Sequence, residues 1–382
     1  MHVFLGTTEI IILKRNLLHL TFNILGIASV ILFHSLFVNA QSKQTDDLKL
    51  SINYHYGFSL PEYSFINYIT TDPINSLSLQ LSKETTGKND WEQLFKYPEY
   101  GLSFFYSNLG NDNLIGKSFA LNYFFRVNFI NKKRFKVYNQ TGMGIGYLTK
   151  KFDLVENYQN VGIGSHVNAH FNFRLGTSFR LTPKFDSQIG LSFDHYSNAN
   201  SADPNLGLNL ITLFAGMTYR VGETTAKTKS VLSKHVRKNN FEIVQSIGGK
   251  QTRALSGQFF LTSSLSGGIN REFFRGFNLG LGADVFYDQA MKTLIEANEE
   301  VFKPSNNFQT GIHLSQEFKY NRFSLILQEG IYLGMVNKGL KKTMYNRGIV
   351  QFQFSKHFLV RAAMKSHLHI LDFPEVGIGY KW

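Results

Sequence analysis

After Gln41 the sequence alternates between large apolar side chains and polar ones that include arginine and asparagine. Phe119, Leu121, Tyr123, Phe125, Val127 and Phe129 fall on one face of an extended chain, and Asn122, Arg126 and Asn128 on the other. Phe171, Phe173, Leu175 and Phe179 stand opposite Asn172, Arg174, Ser178 and Arg180 in the same way. Phe277, Leu279, Leu281, Ala283, Val285 and Tyr287 stand opposite Asn278, Gly280, Gly282, Asp284 and Asp288. A period of two belongs to a β-strand, whose successive side chains point to opposite faces. Arginine and asparagine columns would be costly in a dry core. A soluble sandwich would also need a second apolar layer against each sheet. A transmembrane barrel, apolar toward lipid and polar toward its lumen, accommodates both columns. The expected fold class is therefore all-β, an antiparallel transmembrane β-barrel.

Composition supports this reading. The chain has 36 Phe, 18 Tyr and 32 Gly against 7 Pro, which fits strands with aromatic girdles. It has no cysteine, which excludes a disulfide framework, a Cys-ligated zinc and a lipid anchor on Cys. The net charge of +13 is spread over turns and strand ends. It therefore points to an anionic membrane surface as partner, with no nucleic acid. Lys14 and Arg15 precede an apolar run from Leu17 to Val38, and Val38-Asn39-Ala40 offers a small-residue cleavage site, so residues 1–40 read as a signal peptide.

Polar residues 223–240 form a linker, expected on the periplasmic side, that divides the mature chain into residues 41–222 and 241–382. Short turns (131–134, 182–184, 319–322, 355–357) alternate with longer loops (150–159, 198–207, 290–307), the rhythm of an outer-membrane barrel with short periplasmic turns. About sixteen strands are expected, eight on each side of the linker. A single barrel of about sixteen strands is favoured; the alternative is an eight-stranded barrel followed by a second one, a reading supported by the linker and by the terminal-type strand Phe214–Val221.

One stretch carries candidate chemistry. Ile189, Leu191 and Phe193 form an outward apolar column that His195 and Ser197 continue. A base beside a hydroxyl is what nucleophilic ester cleavage requires, although a His and a Ser at a strand end can also be ordinary membrane-interface residues. On the following strand Asn209, Ile211, Leu213, Ala215 and Met217 share a face, which brings Asn209 toward His195 across the intervening loop. Elsewhere, Gly142, Gly144 and Gly146 precede no helix and read as bulge or packing glycines. His166 and His170, on a strand, are not the helical zinc pair.

His195-Tyr196-Ser197-Asn198-Ala199, with Pro204-Asn205-Leu206-Gly207-Leu208-Asn209, resembles the active-site segment of outer-membrane lipid A 3-O-deacylases, the PagL family. Pro98-Glu99-Tyr100-Gly101 and the hairpin Phe119–Phe135 are similar to its Bacteroidetes branch, often labelled acyloxyacyl hydrolase. The resemblance implies Ser197 as nucleophile, His195 as general base and Asn198 as an oxyanion donor. The glutamate that orients the histidine in the family falls on Asn209, which can hydrogen-bond an imidazole but cannot stabilise its cation by charge. The function implied is a serine esterase of the bacterial outer membrane that removes an ester-linked, 3-O acyl chain. Its partner is lipid A or lipopolysaccharide in the outer leaflet, and no cofactor or metal ion is needed. The alternative is a non-catalytic barrel serving envelope integrity or transport.

Overall fold

The computed structural model describes residues 47–61, 64–199, 201–223, 225–229, 232, 237–252, 258–334, 342–367 and 370–382; the expected signal peptide lies outside them. The described residues form sixteen antiparallel strands in two closed barrels. The first contains β1 (Leu48–Ser59), β2 (Ile74–Glu84), β3 (Glu99–Asn108), β4 (Lys117–Asn131), β5 (Phe135–Leu148), β6 (Val167–Arg180), β7 (Phe185–Ser197) and β8 (Leu208–Val221). The second contains β9 (Asn239–Lys250), β10 (Phe260–Phe274), β11 (Phe277–Asp288), β12 (Phe308–Tyr320), β13 (Phe323–Leu333), β14 (Met344–Gln353), β15 (Phe358–His367) and β16 (Ile370–Lys381).

This overturns the expectation of one sixteen-stranded barrel in favour of the two-barrel alternative. β8 returns to β1, from Leu48 opposite Val221 to Ser59 opposite Leu210. β16 returns to β9, from Glu375 opposite Gly248 to Lys381 opposite Glu242. The physical reason is that an open sheet edge in hydrocarbon leaves backbone groups unpaired. Closure at eight strands pairs every edge and leaves a lumen that side chains alone can fill.

The alternation divides as expected. Leu50, Ile52, Leu79, Leu121, Leu175, Ile189, Leu191 and Leu213 point outward and are exposed. The first lumen holds paired charges instead. Lys49 Nζ lies 2.6 Å from Glu84 and 2.5 Å from Glu99. Arg126 reaches Glu99 at 3.3 Å and Gln140 at 2.8 Å, and Arg220 pairs with Asp186. Buried charges persist in such a place because each meets an opposite charge and further hydrogen bonds. Toward the end that bears the longer loops the filling becomes apolar, with Ile66, Ile74, Leu109, Ile115, Leu148, Ile163 and Leu208 in one cluster. Longer loops mark the outer side, so this cluster underlies the external loops.

The second lumen is built likewise. Asp284 pairs with His313 at 2.6 Å and with Arg347, and Lys250 bridges Asp288 and Asp372 at 2.7 and 2.6 Å. Asp284 and Asp288 are thus each paired with cationic side chains inside a barrel. Gly144 and Gly146 are packing glycines. A Cβ on Gly144 would lie 1.9 Å from the Leu121 carbonyl oxygen, and one on Gly146 would lie 2.7 Å from the Tyr196 ring.

The outward face sets a testable cost. Leu175→Arg, near the middle of β6, is expected to lower barrel stability by about 2–4 kcal/mol, measured by denaturant unfolding in lipid vesicles.

Candidate active site

The site lies where β7 and β8 meet their outer loop. His195 on β7 is directly opposite Asn209 on β8. Their side chains meet, with His195 Nδ1 2.6 Å from Asn209 Oδ1. With the amide oxygen accepting, Nδ1 carries the proton and Nε2 keeps its lone pair. The Phe171 ring on β6 stands 6.4 Å from the imidazole, centroid to centroid.

Ser197 keeps the outward parity of His195, but it is only 7% exposed. The sequence placed it on an open lipid-facing column; the structure covers it with the loop that follows. That loop is tied to its neighbour between β5 and β6: Leu206 and Gly207 both donate backbone N–H bonds of 3.1 Å to the Gly162 carbonyl, and Asn205 forms a bridge with Ile163. Ser201 closes the loop on itself, its amide and its hydroxyl both donating to the Asn198 carbonyl, at 3.1 and 2.7 Å.

Within this cover Ser197 Oγ accepts two hydrogen bonds, from Asn205 Nδ2 at 3.1 Å and from the Ala199 backbone N–H at 3.2 Å. Ala199 supplies that N–H from a left-handed conformation, φ +56°, which a residue with a Cβ adopts at some strain. The Asn198 backbone N–H donates to Asn205 Oδ1 at 3.0 Å, while its side-chain Nδ2 donates to the Ala202 carbonyl at 2.6 Å. Asn205 therefore ties the Ser197 hydroxyl to the Asn198 backbone. Sequence reasoning gave it no role, although it stood among the residues that carry the resemblance; its contact depends on a loop fold that strand periodicity does not encode.

The even-numbered residues of β7 anchor the same segment from inside. Tyr196, between His195 and Ser197, is fully buried, shares a 2.9 Å hydrogen bond with Ser118 and stacks on His170 with ring centroids 4.3 Å apart. His170 in turn lies 3.1 Å from Asp194. On the outside, an apolar groove of about 730 Å³ runs below the site over Tyr56, Phe58, Leu191, Ile211 and Leu213, rimmed by Thr70 and Asp72. In the loop, burial pushes the Asp203 carboxyl above the usual carboxylate range.

Two closed barrels with apolar outer walls and packed polar lumens define a membrane-spanning β-barrel protein, with His195 and Asn209 in contact at the outer end of the first. Residues 75–218 match the family described as lipid A 3-O-deacylase (PagL), and residues 239–382 match the acyloxyacyl hydrolase C-terminal domain. The chain belongs to the PagL family, and it is a protein of the bacterial outer membrane. No curated protein sequence matches it. Among solved structures, Neisserial surface protein A is similar over 46% of this chain and 97% of its own, at 11% identity and a TM-score of 0.33. The outer membrane enzyme PagL is similar over 44% of this chain and 97% of its own, at 19% identity and a TM-score of 0.30.

Gly207 tests how tightly the imidazole is held. Its φ is +74°, and a Cβ there would lie 3.0 Å from His195 Cε1. Gly207→Ala is expected to cost about 1 kcal/mol in backbone strain and to displace the ring. The displacement is read as a shift of the His195 imidazole resonances in NMR, with the barrel still migrating as folded before heating.

Proposed function

We propose that the first barrel hydrolyses an ester-linked acyl chain of lipid A, at the 3-O position, with Ser197 as nucleophile and His195 as general base. The observation that carries this reading is the 2.6 Å bond between His195 Nδ1 and Asn209 Oδ1. It selects the tautomer protonated on Nδ1, which makes Nε2 the basic nitrogen that takes the serine proton. Ser197 is two residues from His195 on the same side of the strand, and the reading requires its hydroxyl to turn from Asn205 toward that nitrogen. Hydrogen bonds between nucleophile and base often tighten only with substrate bound.

Attack by Ser197 Oγ on the ester carbonyl gives a tetrahedral oxyanion. The Asn205 amide and the Ala199 N–H, which donate to the serine oxygen, are offered as its donors, while the Asn198 amide, expected in that role, donates to the Ala202 carbonyl and holds the loop. Collapse releases the sugar hydroxyl, which receives the proton from His195. Water activated by His195 then frees the fatty acid from Ser197. The groove over Tyr56, Phe58, Ile211 and Leu213 would hold the acyl chain, and half-buried Lys117 and exposed Lys150 and Lys151 stand at the outer end, where lipid A carries its phosphates. In this reading residues 41–222 form the catalytic unit and residues 223–240 a periplasmic linker to residues 241–382.

Asn209 fixes geometry without adding charge. In a serine triad the exchange of Asp for Asn costs about 10⁴ in rate, chiefly through the wrong tautomer. Here the amide oxygen faces Nδ1, so the loss is confined to stabilisation of the imidazolium. Mass spectrometry of lipid A from cells making the wild type, Ser197→Ala or Asn209→Glu tests the proposal. Wild type should remove one acyl chain, Ser197→Ala none, and Asn209→Glu should act faster. Unchanged lipid A in every strain, with folded barrels present, would leave the non-catalytic alternative.

A further inference from the structure

The outer wall of the second barrel carries a depression that the packing of the barrel does not account for. On β10 the outward column runs Leu261, Ser263, Leu265, Gly267, Ile269, Arg271. Gly267 is paired with Ile243 on β9 and Ala283 on β11, so two of the three positions across that row have almost no side chain. The result is an apolar groove of about 870 Å³ walled by Phe241, Ile243, Ile269, Leu281 and Trp382.

A glycine inside a strand weakens it, and such a residue often marks the close approach of another group. Neighbouring glycines have that group inside the protein: a Cβ on Gly280 would lie 1.8 Å from Asn270 Oδ1, and one on Gly282 would lie 2.6 Å from the His313 ring. A Cβ on Gly267 would meet no atom within 4 Å. The barrel could carry a larger side chain there without a clash, and it carries none.

The groove is open toward lipid and ends on positive charge. Arg271 follows on the same outward column, two residues beyond Ile269 of the groove wall, and is exposed. The four residue steps from Gly267 to Arg271 span about 13 Å of strand, within one leaflet of a hydrocarbon core about 30 Å thick. The short turn between β10 and β11 places Arg271 on the periplasmic side. An apolar channel one leaflet deep with an arginine at its mouth matches a single amphiphile, an acyl chain joined to a phosphate.

We infer that the second barrel binds one phospholipid of the inner leaflet, its acyl chain lying over Gly267 and Ala283 and its phosphate against Arg271. This site is on a different barrel from the proposed esterase and does not depend on that activity. Arginine at this depth extends its head to the interface while its stem covers apolar surface, which suits a phosphate at the groove mouth.

Native mass spectrometry of the full chain in mild detergent, with added phosphatidylethanolamine or with diacylglycerol, tests the site. Wild type should retain one phospholipid. Gly267→Leu fills the groove from β10 and Ala283→Leu fills it from β11, and each should reduce retention of both lipids by about tenfold. Arg271→Gln should reduce retention of phosphatidylethanolamine and leave diacylglycerol unchanged. Heat-modifiable migration verifies folding for each variant. Equal retention by wild type and both groove-filling variants would overturn the inference. So would a dimer that Gly267→Leu converts to monomer without loss of lipid, since the face would then be a contact between copies.

Discussion

Pairing of the backbone in hydrocarbon is the constraint on which the rest of this molecule depends. No water is available there to satisfy an unpaired N–H or C=O, so each sheet must close. In the first barrel closure is the ladder between β1 and β8, and in the second the ladder between β9 and β16. Once each sheet is closed at eight strands, its lumen is too narrow to remain a wide aqueous channel and must be packed. The buried Lys49, Arg126, Arg174, Arg347 and Lys365 follow from that geometry. They sit on the face that alternation turns away from lipid, where carboxylates and amides on neighbouring strands can meet them.

The same alternation gives β7 two duties. Its even-numbered residues fix the strand from inside, through Asp194 with His170 and through Tyr196 with Ser118. Its odd-numbered residues carry the candidate chemistry outside. A site held by a packed strand keeps its geometry better than one on a free loop, and His195 and Asn209 are both strand residues in direct cross-strand register. Ser197 is the last residue of β7, and its hydroxyl is held by the loop, through Asn205 and Ala199. Precision at the base and adaptability at the nucleophile therefore have separate structural origins.

Much of this was legible in the sequence. The strands, their inward and outward faces and the approach of Asn209 to His195 follow from a period of two, which is local information. The number of barrels did not follow, because alternation states which face a residue occupies and not which strand lies beside it. The linker and the terminal-type strand Phe214–Val221 carried the two-barrel reading, but only the pairing of Val221 with Leu48 decides it. The cover over Ser197 was also illegible. It arises from hydrogen bonds between two loops, Gly162 with Leu206 and Gly207, whose spacing has no period. Nothing in a period of two singles out Gly267, because the open space around it belongs to three strands at once.

An even number of strands has a consequence for how the chain is threaded. Eight crossings return the polypeptide to the side from which it started, so the segment leaving β8 and the segment entering β9 emerge on the same side of the bilayer. The second barrel therefore begins with the same polarity as the first, and each is a complete round trip. Either unit could be gained or lost by fusion or deletion at the linker without inverting the other, which makes the arrangement modular in an orientation-preserving sense.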